Sequence, residues 1–122
     1  MKRCLIVDDS RVIRRVASKI IQDMGFDVDE AENGRKALNA LTIRMPDLVL
    51  VDWEMPVMDG ITFAKELRKL PGGNKVAVMF CTVENDAAHI KQALEAGADE
   101  YIMKPFDSEI MRSKLTLLGF LG

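Results

Sequence analysis

The sequence predicts an α/β protein in which a doubly wound parallel sheet of five strands is covered by five helices. Five short apolar runs recur along the 122 residues, and a segment with helical periodicity follows each of them. Parallel strands need right-handed crossover connections, and a helix supplies each one. The length suits one domain, so we expect residues 1–122 to form a single domain.

The five predicted strands differ in how apolar they are. The first and third consist almost entirely of aliphatic side chains, which is typical of strands buried on both faces. The second is half polar, which indicates a position near the sheet edge. The strands are predicted at residues 4–8, 26–30, 48–51, 76–81 and 101–103.

The helices are predicted where apolar side chains recur at spacings of three and four. These positions lie within residues 12–21, 37–41, 61–70, 90–94 and 110–118. Ser10 and Asp86 are placed to cap the first and fourth helices, and either Asp107 or Ser108 caps the last. Gly25 and Gly97 are expected to end the helices that precede them.

Composition excludes several classes of protein. The chain has 17 basic and 19 acidic residues, whereas a dedicated nucleic-acid binder is usually basic. No apolar run approaches the ~18 residues of a spanning helix, and the apolar start of the chain is too short for a signal peptide. Two cysteines without a histidine cluster do not make a structural zinc site. We therefore expect a cytoplasmic domain with reduced thiols and neither nucleic-acid nor membrane partners.

Polar side chains follow four of the predicted strands. Because the carboxyl ends of parallel strands meet at one edge of the sheet, where ligands of such folds bind, these side chains are expected to lie together. They are Asp8, Asp9, Asp52, Thr82 and Lys104.

This combination of side chains suits phosphoryl chemistry. Three carboxylates in one pocket repel each other and stay ionised together only beside a cation. Hard oxygen ligands suit Mg²⁺ better than a transition metal. A lysine and a threonine hydroxyl would contact phosphoryl oxygens while one aspartate acts as nucleophile.

The same residues give the chain a resemblance to the receiver domain of two-component response regulators, the CheY-like family. The resemblance covers the whole chain and rests on Asp8-Asp9, on Asp52 within residues 51–60, on Thr82, and on Lys104-Pro105-Phe106. It implies a flavodoxin-like sheet with strand order 2-1-3-4-5. It also implies a receiver domain without an output domain.

The resemblance implies a role for each residue of the site. Asp52 would accept a phosphoryl group from a histidine kinase or histidine phosphotransfer protein. Asp9, Asp52 and the backbone carbonyl of Glu54 would bind Mg²⁺, and Asp8 would act through water. Thr82 and Lys104 would bind the phosphoryl group. Thr82 and Tyr101 would form a switch pair, and the bond before Pro105 would be cis.

Signal output is expected through partner binding. The preferred interpretation is chemotaxis-type regulation of the flagellar motor. In this family the surface of the fourth helix, fifth strand and fifth helix changes on phosphorylation. Here that surface would include Ala88, Lys91, Gln92, Glu95, Tyr101, Met103 and parts of residues 109–114. A phosphorelay intermediate or a phosphate sink is the alternative. The domain is not expected to be an enzyme, although it would catalyse its own phosphorylation and dephosphorylation.

Two other classes fit the sequence less well. An aspartyl-phosphate phosphohydrolase usually carries a second aspartate two residues after the nucleophile, where this chain has Glu54. A nucleotide-binding module needs a glycine-rich loop after the first strand, and Ser10, Arg11 and Val12 do not supply one.

Three residues are expected at the pocket mouth, namely Glu54, Val83 and Glu84, where they would slow labelling by small anionic donors. Trp53 is expected to point away, into packing beneath the second or third helix. The apolar end, residues 117–122, either folds back onto the core or forms a patch used by a partner or a second copy.

Overall fold

A five-stranded parallel sheet forms the centre of the computed structural model, which describes residues 2–83 and 86–121. The strands are β1 Arg3–Val7, β2 Asp27–Ala31, β3 Leu48–Asp52, β4 Ala77–Thr82 and β5 Glu100–Met103. Their order across the sheet is β2-β1-β3-β4-β5, so the predicted fold and strand order are confirmed.

Five α-helices connect and cover the strands. They are α1 Arg11–Gln22, α2 Gly34–Ile43, α3 Gly60–Lys69, α4 Ala87–Glu95 and α5 Ser108–Leu117. A short 3₁₀ turn at Gly73–Lys75 joins α3 to β4. Among the helices in the described part of the chain, none combines the length and apolar character that crossing a membrane requires.

The sheet divides the apolar interior into two layers because successive strand residues face opposite sides. In β1, Leu5 and Val7 join the layer covered by α2, α3 and α4, whereas Cys4 and Ile6 join the layer covered by α1 and α5. We call these layers the front core and the back core. All four residues are almost fully buried, which explains why the strand reads as a continuous apolar run.

Helix starts are fixed by side-chain caps that the sequence indicated. The Ser10 hydroxyl accepts a hydrogen bond from the Ile13 amide at 3.3 Å. Asp86 caps α4 in the same way. At the start of α5 the carboxylate of Asp107 accepts from the Ile110 amide at 2.8 Å, so Asp107 rather than Ser108 is the cap. Such caps typically contribute about 1 kcal/mol each.

The apolar C-terminal segment folds back onto the back core. The ring of Phe120 makes an edge contact with Phe26, with 5.5 Å between ring centroids. Leu118 and Leu121 pack against the same layer. The ammonium of Lys2 lies 5.2 Å from the centre of the Phe120 ring. Of the two possibilities open from the sequence, packing onto the core is the one observed.

Arg68 ties together the edge of the fold opposite the polar side chains. Its guanidinium donates to the carbonyls of Gly73 and Val76 at 2.7 and 2.6 Å. It also donates to the carbonyl of Gly97 and to the carboxylate of Asp99. One side chain therefore holds α3, the turn before β4 and the turn before β5 in a fixed arrangement.

Candidate functional site

The carboxyl ends of the strands bring the predicted polar residues to one edge of the sheet. Asp8 follows β1, Asp52 and Thr82 are the last residues of β3 and β4, and Lys104 follows β5. Asp8 and Thr82 are 2% and 6% exposed and Asp52 is 9% exposed, so these polar groups lie at the floor of the site. The convergence expected from the order of elements is present.

Three carboxylates form the centre of the site. One oxygen from each of Asp8, Asp9 and Asp52 lies within 4.8 Å of the other two. Asp8 and Asp52 are largely buried, whereas Asp9 is exposed. The geometry and the all-oxygen donor set fit a hard divalent cation that keeps part of its water shell, as Mg²⁺ does.

Lys104 places a positive charge beside the carboxylates. Its ammonium lies 3.0 Å from Oδ2 of Asp8 and 3.1 Å from Oδ1 of Asp52. Burial alone would lower the pKa of Lys104, but the hydrogen bond to Asp8 and the negative charges of Asp52 and Asp8 outweigh burial and raise it. Lys104 is therefore charged at neutral pH and neutralises part of the cluster.

Asp8 is positioned by two donors. Oδ1 accepts the Ser10 amide at 2.8 Å, and Oδ2 accepts the Lys104 ammonium. Each oxygen of Asp8 thus accepts one hydrogen bond and keeps a second lone pair for a metal ion or a metal-bound water. The role through water that the family resemblance implies for Asp8 stays a prediction.

The ionised form of Asp52 is electrostatically unfavourable in the folded protein, even with Lys104 beside it. Burial raises its pKa, and the neighbouring charge of Asp8 raises it further, whereas Lys104 opposes both effects. A cation bound beside Asp52 would favour its ionised form.

A pocket of about 210 Å³ opens above Asp52. It is lined by Asp52, Trp53, Glu54, Thr82, Val83, His89 and Lys104. Glu54 and Val83 are at the pocket as expected, and Val83 is 67% exposed. Glu84 lies outside the described residues, so its expected place at the mouth stays a prediction, as does the ligand role of the Glu54 carbonyl.

The expectation for Trp53 was only partly right. Trp53 packs against the front core, but its ring also lines the pocket, with its centroid 5.1 Å from that of His89 on α4 and 5.5 Å from that of Phe80. Trp53 continues the alternation of β3, since it lies on the front side with Val49 and Val51. The Trp53 carbonyl accepts a hydrogen bond from the Gly60 amide, which closes the loop between β3 and α3.

His89 is the pocket residue that sequence reasoning missed. Its ring Nδ1 lies 2.9 Å from the carboxylate of Asp86, the cap of its own helix. The signal was its position one helical turn into α4, just beyond the strand that ends at Thr82.

The loop after Asp52 has a constrained backbone. Gly60 is required because a Cβ there would lie 2.4 Å from the Asp52 carbonyl oxygen. Val57 has φ of 72°, and the Met58 amide donates to the Pro56 carbonyl at 2.7 Å across it. A β-branched residue in this region is strained. On the other side of the site, the Lys104-Pro105 bond is cis, as the resemblance implied.

Tyr101 lies on β5, at the edge of the sheet, next to the strand that carries Thr82. Its ring is half-buried against the front core, and the ammonium of Lys114 stands 4.4 Å from the ring centre. The pairing of Thr82 and Tyr101 in a switch stays a prediction.

Comparison with known proteins identifies a family. The response regulator receiver domain family matches residues 4–116. The chain is 34% identical to chemotaxis protein CheY1 of Helicobacter pylori over 118 residues, 95% of each chain. It is 37% identical to chemotaxis protein CheY of Bacillus subtilis over 108 residues, 88% of each chain.

The same family appears among solved structures. Chemotaxis protein CheY4 of Vibrio cholerae superposes with a TM-score of 0.92 at 32% identity, covering 96% of this chain and 98% of that one. Together with the carboxylate cluster and Lys104 at the carboxyl edge, these matches show that the chain belongs to the response regulator receiver domain family, the phosphorylation switches of two-component signalling.

Proposed function

We propose that this receiver accepts a phosphoryl group on Asp52 from the phosphohistidine of a partner kinase, with Mg²⁺ bound beside it. The observation that carries the proposal is the position of Lys104 between Asp8 and Asp52 at 3.0 and 3.1 Å, beside carboxylate oxygens that lie within 4.8 Å of each other. The site thus pairs a nucleophilic carboxylate with groups that neutralise phosphoryl charge.

In the proposed transfer, a carboxylate oxygen of Asp52 attacks the phosphorus of the donor. The new O–P bond forms as the N–P bond to the donor imidazole breaks, and the electron pair of that bond returns to the imidazole nitrogen. Lys104 and the Thr82 hydroxyl bind phosphoryl oxygens. Mg²⁺, held by Asp9, Asp52 and the Glu54 carbonyl, would supply further charge neutralisation.

The same groups give the domain its proposed catalytic property. Because nucleophile and cationic partner are held in place before the donor arrives, the domain would catalyse its own phosphorylation and dephosphorylation. It has no separate substrate in this scheme, and the aspartyl phosphate is the signal.

The proposed output is partner binding in a chemotaxis pathway, at the surface formed by α4, β5 and α5. Support for the pathway comes from the relatives, since chemotaxis proteins match nearly the whole chain. The flagellar motor is the proposed target of the phosphorylated form.

The acceptor assignment is tested by mass. Wild type incubated with acetyl phosphate and Mg²⁺ is expected to gain one phosphoryl group, whereas Asp52→Asn gains none. Asp23→Asn, a change at an exposed acid just after α1, serves as the matched control and should label like wild type. Equal labelling of Asp52→Asn would refute the assignment.

The output is tested separately. Fluorescence titration of a motor-switch peptide with the protein is expected to show tighter binding when beryllium trifluoride and Mg²⁺ are present. If the mimic binds but the peptide affinity does not change, the motor role is wrong. Transfer of labelled phosphate to a histidine phosphotransfer protein would then indicate a relay.

A further inference from the structure

Lys114 crosses the edge of the sheet and contacts side chains that belong to both faces. Glu100 shares its strand face with Ile102, which packs in the back core, whereas Tyr101 packs against the front core. Lys114 extends from α5, on the back side, yet its ammonium reaches the Tyr101 ring. It can do so because β5 is the edge strand.

A single carboxylate oxygen anchors this arrangement. Oε1 of Glu100 accepts the Lys114 ammonium at 3.0 Å and the Tyr101 amide at 3.0 Å. The same ammonium lies 4.4 Å from the Tyr101 ring centre, well inside the range of a cation–π interaction. The backbone and the ring of Tyr101 are therefore both tied to the Glu100–Lys114 pair.

Burial distinguishes this pair from surface ion pairs. The Lys114 and Glu100 side chains are 21% and 18% exposed, whereas those of Lys19 and Asp23, at the end of α1, are 75% and 61% exposed. Solvent weakens an exposed pair until it contributes almost nothing, but a half-buried pair keeps more of its attraction.

We propose that Glu100 and Lys114 form a latch that holds the Tyr101 ring in its observed orientation and so opposes the switch. Lys114 is a positioning residue, because it acts through Tyr101 rather than at the phosphorylation site. The inference rests on the proposed function and on the expected switch pair of Thr82 and Tyr101, in which the ring would turn inward when the Thr82 hydroxyl binds a phosphoryl oxygen.

The latch has a consequence at the distant pocket. A ring that turns inward must leave the ammonium, and a cation–π contact of this kind corresponds to roughly a five-fold change in the ratio of two orientations. Binding at Asp52 and the orientation of Tyr101 are coupled equilibria, so removing the latch must tighten binding at Asp52 by up to the same factor.

The affinity test uses beryllium trifluoride with Mg²⁺ as the probe and the fluorescence of Trp53, the one tryptophan of the sequence, as the signal. Trp53 lines the pocket and so reports on occupancy there. Lys114→Met and Glu100→Gln are expected to bind the mimic up to about five-fold more tightly than wild type. Lys114→Arg keeps the cation and should rescue wild-type affinity, and Lys19→Met is the control for loss of an ion pair.

A second measurement observes the ring directly. Tyr101 is the one tyrosine of the sequence, so protein containing 3-fluorotyrosine gives one ¹⁹F resonance. In Glu100→Gln without the mimic, this resonance is expected to move toward its position in mimic-bound wild type. Lys19→Met should leave it in place.

The outcomes separate the latch from the proposed function. Equal or weaker mimic affinity in both latch variants, with an unmoved resonance, overturns the latch while the phosphorylation switch stands. If wild type fails to bind the mimic in an Asp52-dependent way, the proposed function fails. In that case a resonance that shifts in Glu100→Gln but not in Lys19→Met still supports the latch, and an unshifted resonance overturns it.

Discussion

Replacing Asp52 by asparagine should stabilise the metal-free fold. The substitution removes two repulsions, with Asp8 and Asp9, whose oxygens lie within 4.8 Å, and one attraction, with Lys104 at 3.1 Å. By Coulomb's law the attraction at 3.1 Å is about one and a half times a repulsion at 4.8 Å, so the net effect is about half of one repelling pair. At 4.8 Å such a pair amounts to roughly 1 kcal/mol in water and roughly 3.5 kcal/mol at an effective dielectric constant of 20. We expect Asp52→Asn to gain about 0.5–2 kcal/mol at pH 7.

The gain should depend on pH in a defined direction. Because burial and the charge of Asp8 raise the pKa of Asp52 in the folded state, ionised Asp52 destabilises the fold at pH values above that raised pKa. Below the ordinary aspartate value of 3.8, Asp52 is protonated in both folded and unfolded states and this destabilisation is absent. The difference between Asp52→Asn and wild type should therefore grow as the pH rises from below 3.8 toward neutrality.

Urea unfolding followed by far-UV circular dichroism, in chelator at low salt, measures the difference. Asp23→Asn is the control and should lie within about 0.5 kcal/mol of wild type. Mg²⁺ at ten times its dissociation constant should stabilise wild type by about 1.4 kcal/mol and Asp52→Asn by less. An asparagine variant that is no more stable than wild type in chelator at pH 7 would refute the repulsion argument.

Two further predictions concern parts of the fold away from the carboxylates, and the same urea assay measures both. Arg68→Ala should lower the free energy of unfolding by about 3 kcal/mol, because the carbonyls of Gly73, Val76 and Gly97 lose their donor. Lys69→Ala, which breaks an exposed ion pair, should change it little. Equal losses in the two variants would contradict the role of Arg68. Val57→Asn should raise the free energy of unfolding by about 1 kcal/mol, because asparagine tolerates positive φ. Val57 is 78% exposed, so its replacement loses little buried apolar surface. A less stable variant would show that the loop is not strained.

The sequence was sufficient to predict the fold because each local signal agreed with the topology. The β1 run is buried on both faces, and the caps at Ser10 and Asp86 begin α1 and α4 where expected. The polar floor of the site followed from strand ends alone, since parallel strands place their carboxyl ends together.

The features that sequence reasoning did not predict depend on how loops turn beyond the strand ends. The period of two places Trp53 on the front side with Val49 and Val51, but it does not show that the ring also lines the pocket and meets His89. His89 reaches the pocket because of how α4 starts after β4, and helical spacing within α4 carries no information about that angle. The contacts of Arg68 join residues up to 31 positions apart, and nothing local to Arg68 marks its acceptors.

The contact between Lys2 and Phe120 brings together residues from opposite ends of the described chain. The two residues meet beside Phe26, which precedes β2, at the amino-terminal edge of the sheet and so at the far end from Asp52. A short peptide could join them without crossing the phosphorylation pocket, and new ends could be opened in an exposed connection such as that at Arg44, between α2 and β3. In this fold the order in which the elements are synthesised can thus be changed while the strand ends that build the site keep their places.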